Sequence, residues 1–305
     1  MYDLVIVGGG PAGLSAAIYA ARAQLAALVL EKDYGGRGVI AVSERVDNYP
    51  GLPGIAGFDL ADSFRKQAKA LGAAFRMAQV TQIDRTADGF ALLCKDGKML
   101  EARAVIYAAG AGYRRLDIPG AKLVGVSYCA PCDGAFFAGQ EVAVIGGGDT
   151  AFEDALYMAK IASRVYLVHR RETFRASRTL QAQVQATPAI VPVLNASAVH
   201  VLGSTHVEGL VIAQNGTERE LPVSAVFTAI GSVPNSALLE GLADLDANGY
   251  VIAGEDCVTS VPGLFAAGDV RTKPFRQVVT AVADGACAVQ SAESYLRGAA
   301  NRISD

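Results

Sequence analysis

Asp3-Leu4-Val5-Ile6-Val7-Gly8-Gly9-Gly10-Pro11-Ala12-Gly13 is answered 138 positions later by Glu141-Val142-Ala143-Val144-Ile145-Gly146-Gly147-Gly148-Asp149-Thr150-Ala151. Each copy reads as a short buried strand, a glycine turn and the opening of a helix, from Leu14 to Ala23 and from Phe152 to Ala162. A second apolar run follows each helix, Ala27–Leu30 and Val165–Val168. Strand, helix and strand within about 30 residues make a βαβ unit, and such units build parallel sheets. Ala104–Gly110 is echoed by Ala225–Gly231, each a late buried strand, while the strand in Leu264–Asp269 has no counterpart in 113–240. The pattern predicts an α/β chain of two Rossmann-like, three-layer dinucleotide-binding domains. One domain, 114–240, is inserted into the other, 1–113 with 241–305. Phe75–Val80 and Phe90–Cys94 are expected to supply antiparallel strands.

The 305 residues suit two domains, and half of them are apolar, as a large core requires. A net charge of −3 with no block of like sign argues against a general attraction to nucleic acid or an anionic membrane. Met1–Val7 has neither the basic start nor the cleavage pattern of a signal peptide. No uncharged apolar stretch reaches the ~18 residues of a membrane span. These features lead us to expect a soluble, cytoplasmic protein. Of five cysteines, Cys94, Cys257 and Cys287 are scattered and are expected to be small buried hydrophobes. Cys129 and Cys132 form a C-x-x-C, which is either half a zinc site or a redox dithiol. Zinc is the weaker reading and no metal site is expected, because there is no second C-x-x-C and the histidines lie far along the chain at 169, 200 and 206.

In Gly8-x-Gly10-x-x-Gly13 the first glycine permits a tight turn and the second lets a pyrophosphate approach the backbone. The third lets helix and strand pack closely, and Pro11 opens the helix. Glu31, about 20 residues on, is placed to hold both ribose hydroxyls of a dinucleotide without a 2′-phosphate, such as FAD or NAD. The second set, Gly146-x-Gly148-Asp149-Thr150-Ala151, has His169 where the first has Glu31, followed by Arg170, Arg171 and Arg175. A 2′-phosphate is repelled by a carboxylate and held by guanidinium forks, so this copy points to NADPH. With FAD in one site and NADPH in the other, hydride passes from nicotinamide to flavin and the electrons need a destination. Cys129-Ala130-Pro131-Cys132 is the candidate, since a vicinal dithiol takes two electrons and passes them on by disulfide exchange. A thiol at a helix start is more acidic, which favours that chemistry. Asp133 next to the pair is either a proton donor and acceptor or a structural cap.

Over essentially its whole length the chain resembles the low-molecular-weight thioredoxin reductases. The resemblance rests on Gly8–Gly13, Asp47-Asn48-Tyr49-Pro50-Gly51, Cys129-Ala130-Pro131-Cys132-Asp133-Gly134, Val168–Arg171, and Phe265–Val270 with Arg276-Gln277. A C-x-x-C in the inserted domain, just before the second glycine turn, separates it from glutathione-reductase-like enzymes. The resemblance implies FAD contacts at Gly36, Arg37, Asn48, Gly110, Gly268, Asp269, Arg276, Gln277 and Val278, with Asp269 on the ribityl chain. It implies Cys132 beside the flavin, Cys129 as the attacking thiol and Asp133 as the acid–base group. It also implies a homodimer, a rotating inserted domain and a thioredoxin-like partner. The chain departs from the family with Arg37 where glutamine is frequent, Val124 where many members carry arginine, Ser232 in place of histidine, and Pro131 within the C-x-x-C.

Three other uses share parts of the pattern. A flavin-dependent thiol oxidase would keep FAD and the dithiol, but that class tends to lack the arginines present here. Reductases of ferredoxin or flavodoxin lack the dithiol, and peroxidase-feeding forms carry an extra N-terminal thiol domain. A non-enzymatic flavin redox sensor would need an output surface, and no DNA-binding appendage or basic patch accompanies this chain.

Overall fold

The computed structural model describes residues 1–32, 38–43, 46 and 48–301. The chain divides into two compact units, Met1–Gly112 with Val233–Asp305, and Tyr113–Ser232. The return crossing precedes the expected 241 because Leu238, Leu239 and Leu242 pack into the first unit's core.

The first unit opens with β1 (Tyr2–Val7), α1 (Pro11–Arg22), β2 (Ala27–Glu31), α2 (Gly57–Ala70) and β3 (Ala74–Met77). It continues through β4 (Val80–Thr86), β5 (Gly89–Cys94), β6 (Met99–Tyr107) and β7 (Ala111–Tyr113), where the chain crosses over. The second unit holds β8 (Val126–Ser127), α3 (Ala130–Asp133), β9 (Glu141–Gly146), α4 (Asp149–Met158), β10 (Arg164–Val168), α5 (Arg178–Gln185) and β11 (Ile190–Val193). It ends with β12 (Ala196–Leu202), β13 (Gly209–Gln214), β14 (Thr217–Leu221) and β15 (Ala225–Ala229). The chain returns through β16 (Ser232–Pro234), which pairs with β7, and closes with β17 (Leu264–Ala266) and α6 (Val278–Asn301).

In the first unit β3, β2, β1, β6 and β17 lie side by side and parallel, with β5 and β4 added antiparallel to the start of β6. Strand residues alternate between faces, so β1 is buried on both sides. Leu4 and Ile6 pack with Ala16, Ala20, Ala288 and Ala292 of α1 and α6, whereas Val5 and Val7 pack with Phe90 and Leu92. The segment Phe75–Val80, expected to be one antiparallel strand, is divided between β3 and β4. Residues 74–77 run parallel to β2, since α2 returns the chain to the start of the sheet, and the antiparallel pair is β4 with β5.

The second unit repeats the plan, with parallel order β11-β10-β9-β15-β8. Val142, Val144 and Phe227 face Phe152, Ala155 and Met158 of α4, while Ala143, Ile145 and Val226 face Leu210 and Ile212 of the β12-β13-β14 sheet. Helices, parallel sheet and antiparallel strands thus make three layers in each unit. The place of β17 beside β6 does have an equivalent: β8 lies beside β15, but it comes from the unit's start. Among the described residues, no helix is long and apolar enough to cross a membrane.

Candidate redox and dinucleotide sites

At the end of β1, Gly8 has φ +111°, and a Cβ there would stand 2.3 Å from the Ala108 carbonyl oxygen. A Cβ on Gly13 would stand 1.8 Å from the Gly8 carbonyl oxygen. Both glycines are therefore demanded by the approach of α1 to the strands. Gly10 caps α1 in extended conformation, with Pro11 following. Gly38, at φ +69°, approaches so closely that its own Cβ would lie 2.9 Å from Gly10 Cα. The Glu31 carboxylate accepts the Gly9 N–H at 2.6 Å, which holds the acid at the turn.

Gly268, at φ +80°, lies against Ala12 in the first turn of α1. Next to it, Asp269 Oδ1 is buried without a hydrogen-bond partner among the described residues. Burial pushes the Asp269 carboxyl upward, with Lys273 and Arg276 opposing. A buried acceptor of this kind calls for a donor from beyond the described residues, and a polyhydroxyl chain laid along a pyrophosphate cradle would supply one. The residues present fit FAD. Asn48 donates to Gln277 Oε1 at 3.0 Å, joining two more expected contacts. Arg276 donates to the Asp269 and Arg271 carbonyls and lies 3.9 Å over the Tyr250 ring. Gly110, at φ +68°, has open space about it, and Val278 begins α6. Gly36 and Arg37 lie outside the described residues.

Sequence reading missed what supports Asp269. Asp284 is 4% exposed and accepts from the Gly268 N–H at 2.8 Å, Arg271 at 2.8 and 2.9 Å, and Lys273 at 2.8 Å. Burial alone would raise the Asp284 carboxyl, but hydrogen bonds from Arg271 and Lys273 hold it below its ordinary range. Little in the sequence signals the group, since Arg271, Lys273 and Asp284 are separated by up to 13 positions, with other charged and polar residues between them.

In the second unit, a Cβ on Gly146 would lie 2.5 Å from the Ala229 carbonyl oxygen, while Gly148 has open space around it. Asp149, in the first turn of α4, accepts the Ser177 N–H at 2.6 Å, and Thr150 beside it is exposed. A Cβ on Gly147 would meet the His169 ring at 2.2 Å. His169 is 6% exposed, stacks on Phe174 and lies 3.1 Å from the Thr173 carbonyl. Burial lowers its pKa, against the hydrogen bond to Thr173, and so disfavours the charged ring. The imidazole is thus packed into the turn. Arg170, Arg171 and Arg175 are exposed and enter no ion pair among the described residues, which leaves three guanidinium groups around the turn for a phosphate. These residues fit NADPH.

Cys129 and Cys132 are joined by a disulfide, with S–S 2.01 Å and Cα–Cα 5.3 Å. Cys129 is extended and caps the short α3, its carbonyl accepting the Cys132 and Asp133 N–H groups at 3.2 and 3.1 Å. Pro131 sits in the first turn, where an N–H is not needed. Gly134 is pressed onto α4, since a Cβ there would meet Met158 Sδ at 2.6 Å. The pair is therefore anchored to the same helix that opens at the second glycine turn. Asp133 accepts the hydroxyl proton of Ser127 at 2.6 Å. Cys94 and Cys257 are buried, and desolvation pushes the Cys257 thiol up to about 12. Cys287 is exposed, contrary to expectation, because position 287 falls on the solvent face of α6.

Comparison with known proteins agrees with this geometry. Residues 2–285 match the family model described as pyridine nucleotide-disulphide oxidoreductase. Thioredoxin reductase of Treponema pallidum is 43% identical over 302 residues, 97% of each chain. That of Bacillus subtilis is 40% identical, covering 97% of this chain and 95% of its own. Among solved structures, thioredoxin reductase from Streptococcus pyogenes superposes with a TM-score of 0.86 at 36% identity, covering 98% of this chain and 99% of the other. The Giardia duodenalis enzyme gives 0.85 at 35%, covering 97% and 99%.

Proposed function

This chain belongs to the pyridine nucleotide-disulphide oxidoreductases, and within them to the thioredoxin reductases; on that premise we propose that it reduces the disulfide of a thioredoxin-like protein with electrons from NADPH. FAD binds the first unit at Gly8, Gly10, Pro11, Gly13, Glu31, Gly36, Arg37, Asn48, Gly110, Gly268, Asp269, Arg276, Gln277 and Val278. NADPH binds the second at Gly146, Gly148, Asp149, Thr150, Arg170, Arg171 and Arg175, with His169 packed behind the turn. When bound, the two cofactors supply two electrons to the Cys129–Cys132 disulfide by way of hydride transfer to the flavin.

The Cys129 thiolate then attacks one sulfur of the acceptor's disulfide, forming a mixed disulfide and expelling one thiolate. Cys132 attacks Cys129 Sγ, reforms the internal disulfide and expels the second. Asp133 moves protons between the thiols and the leaving groups. Homodimerisation and a cytoplasmic setting accompany this reading. The observation that carries it is one unit holding both a disulfide with an adjacent acid and an arginine-flanked glycine turn.

The test follows NADPH consumption by purified flavoprotein with a thioredoxin-like protein and insulin, beside Cys132→Ser and NADH. Turnover should require NADPH, the protein acceptor and Cys132. Reduction of the flavin without turnover would move the acceptor to another protein, and an unreduced flavin would remove NADPH as donor.

A further inference from the structure

Ser127 is the last residue of β8, only 5% exposed. Its Oγ accepts the Cys129 N–H at 3.1 Å and donates to Asp133 Oδ2 at 2.6 Å. A hydroxyl has one proton and two lone pairs, so both contacts are satisfied together. The Cys129 carbonyl, at 3.4 Å, is a poorer acceptor for the same proton. A contact of 2.6 Å is typical of O–H···O⁻, a charge-assisted bond. The serine is itself fixed twice: β8 pairs Ser127 with Phe227 of β15, and the buried Thr228 hydroxyl donates to the Ser127 carbonyl at 3.3 Å.

Resting on the disulfide-reductase reading, we infer that Ser127 is a positioning residue for Asp133. It ties the carboxylate and the backbone of the attacking cysteine into one frame. That frame does not depend on the S–S bond. Reduction breaks the bond with uptake of two electrons and two protons, but the Ser127 contacts to Asp133 and Cys129 remain. In the exchange that follows, the Asp133 carboxylate takes the proton of the Cys129 thiol and Cys129 Sγ bonds to one acceptor sulfur as the acceptor's S–S bond breaks. Asp133 passes that proton to the first thiolate that leaves; Cys132 then closes the internal disulfide and gives up its own proton to the second. Held by Ser127, the acid keeps one orientation relative to the Cys129 backbone through the exchange.

The test uses the holoenzyme with Ser127→Ala and the nearly isosteric pair Ser127→Thr and Ser127→Val, which differ in the hydroxyl. Each protein is reduced with dithiothreitol, desalted anaerobically and mixed with one of two disulfides. Glutathione disulfide expels a basic thiolate that needs a proton, whereas the aryl disulfide dithiobis-nitrobenzoate expels one that does not. Loss of the hydroxyl in Ala and Val should slow exchange with glutathione disulfide about tenfold and leave the aryl disulfide within about twofold. Thr should restore most of the difference. In NADPH turnover with a protein disulfide, Val should lower kcat about tenfold with little change in KM. Equal slowing of both disulfides, or Thr behaving like Val, would overturn the inference. So would wild-type rates in Ala and Val. The exchange measurement needs no NADPH. If the wild type reduces no protein disulfide from NADPH while the disulfides still separate Thr from Val, the proposed function fails and the role of Ser127 stands.

Discussion

Glu31 and His169 occupy the same place in the two copies, and each contacts the middle glycine of its turn by a different physical means. The carboxylate takes the Gly9 N–H; the imidazole lies flat where a Cβ on Gly147 would be. The acid was legible in the sequence from its spacing. That the histidine faces inward was not, because a one-letter pattern does not distinguish a ring packed on a glycine from one offered to a phosphate. The consequence is measurable. Burial lowers the folded pKa of His169, so its contribution to stability is complete above the unfolded value of about 6.5 and is lost as pH falls through the lower folded value. Urea midpoints of His169→Asn should therefore lack the acid-side decline that His169 is expected to give the wild type below about pH 6.5. The arginines carry the complementary prediction: Arg170→Gln with Arg171→Gln should raise KM for NADPH by about tenfold or more and leave that for NADH nearly unchanged. For the free cysteines, iodoacetamide should label Cys287 in the native protein, and Cys94 and Cys257 only after unfolding, as peptide mass spectrometry would read.

Among elements, the contact of α1 with α6 depends on Gly285, where a Cβ would lie 2.1 Å from the Ala12 carbonyl oxygen. That neighbour is helix backbone and has little room to move. Gly285→Ala should lower stability by about 1–3 kcal/mol in denaturant titration and weaken flavin retention, since α1 opens at the dinucleotide turn. Helices, strands and glycine turns were readable because apolar periodicity and glycine act locally. The direction of β3 and the origin of the strand beside β15 were not, because both depend on which distant strand offers a free edge. The buried group of Arg271, Lys273 and Asp284 was unreadable for the same reason. Charges normally signal surface, and only the fold brings the three together.

At the scale of the whole molecule, each unit has its own pair of apolar cores, and the ends of the second unit meet where the Arg114 N–H donates to the Gly231 carbonyl at 2.9 Å. A fragment spanning residues 113–232 should therefore fold alone, with a cooperative thermal transition by circular dichroism and its internal disulfide intact. A broad, non-cooperative melt would show that the unit borrows its stability from the rest of the chain.

The pairing of β7 with β16 also bears on how such a gene can be rearranged. Departure and return run through adjoining backbone, so the inserted segment is a handle whose two feet share one socket. A short tether from Gly112 to Val233 would close that socket over the host without stretching its sheet. The same junction would accept a foreign cassette whose own termini lie side by side, which makes the crossing a natural place for grafting one redox module in exchange for another.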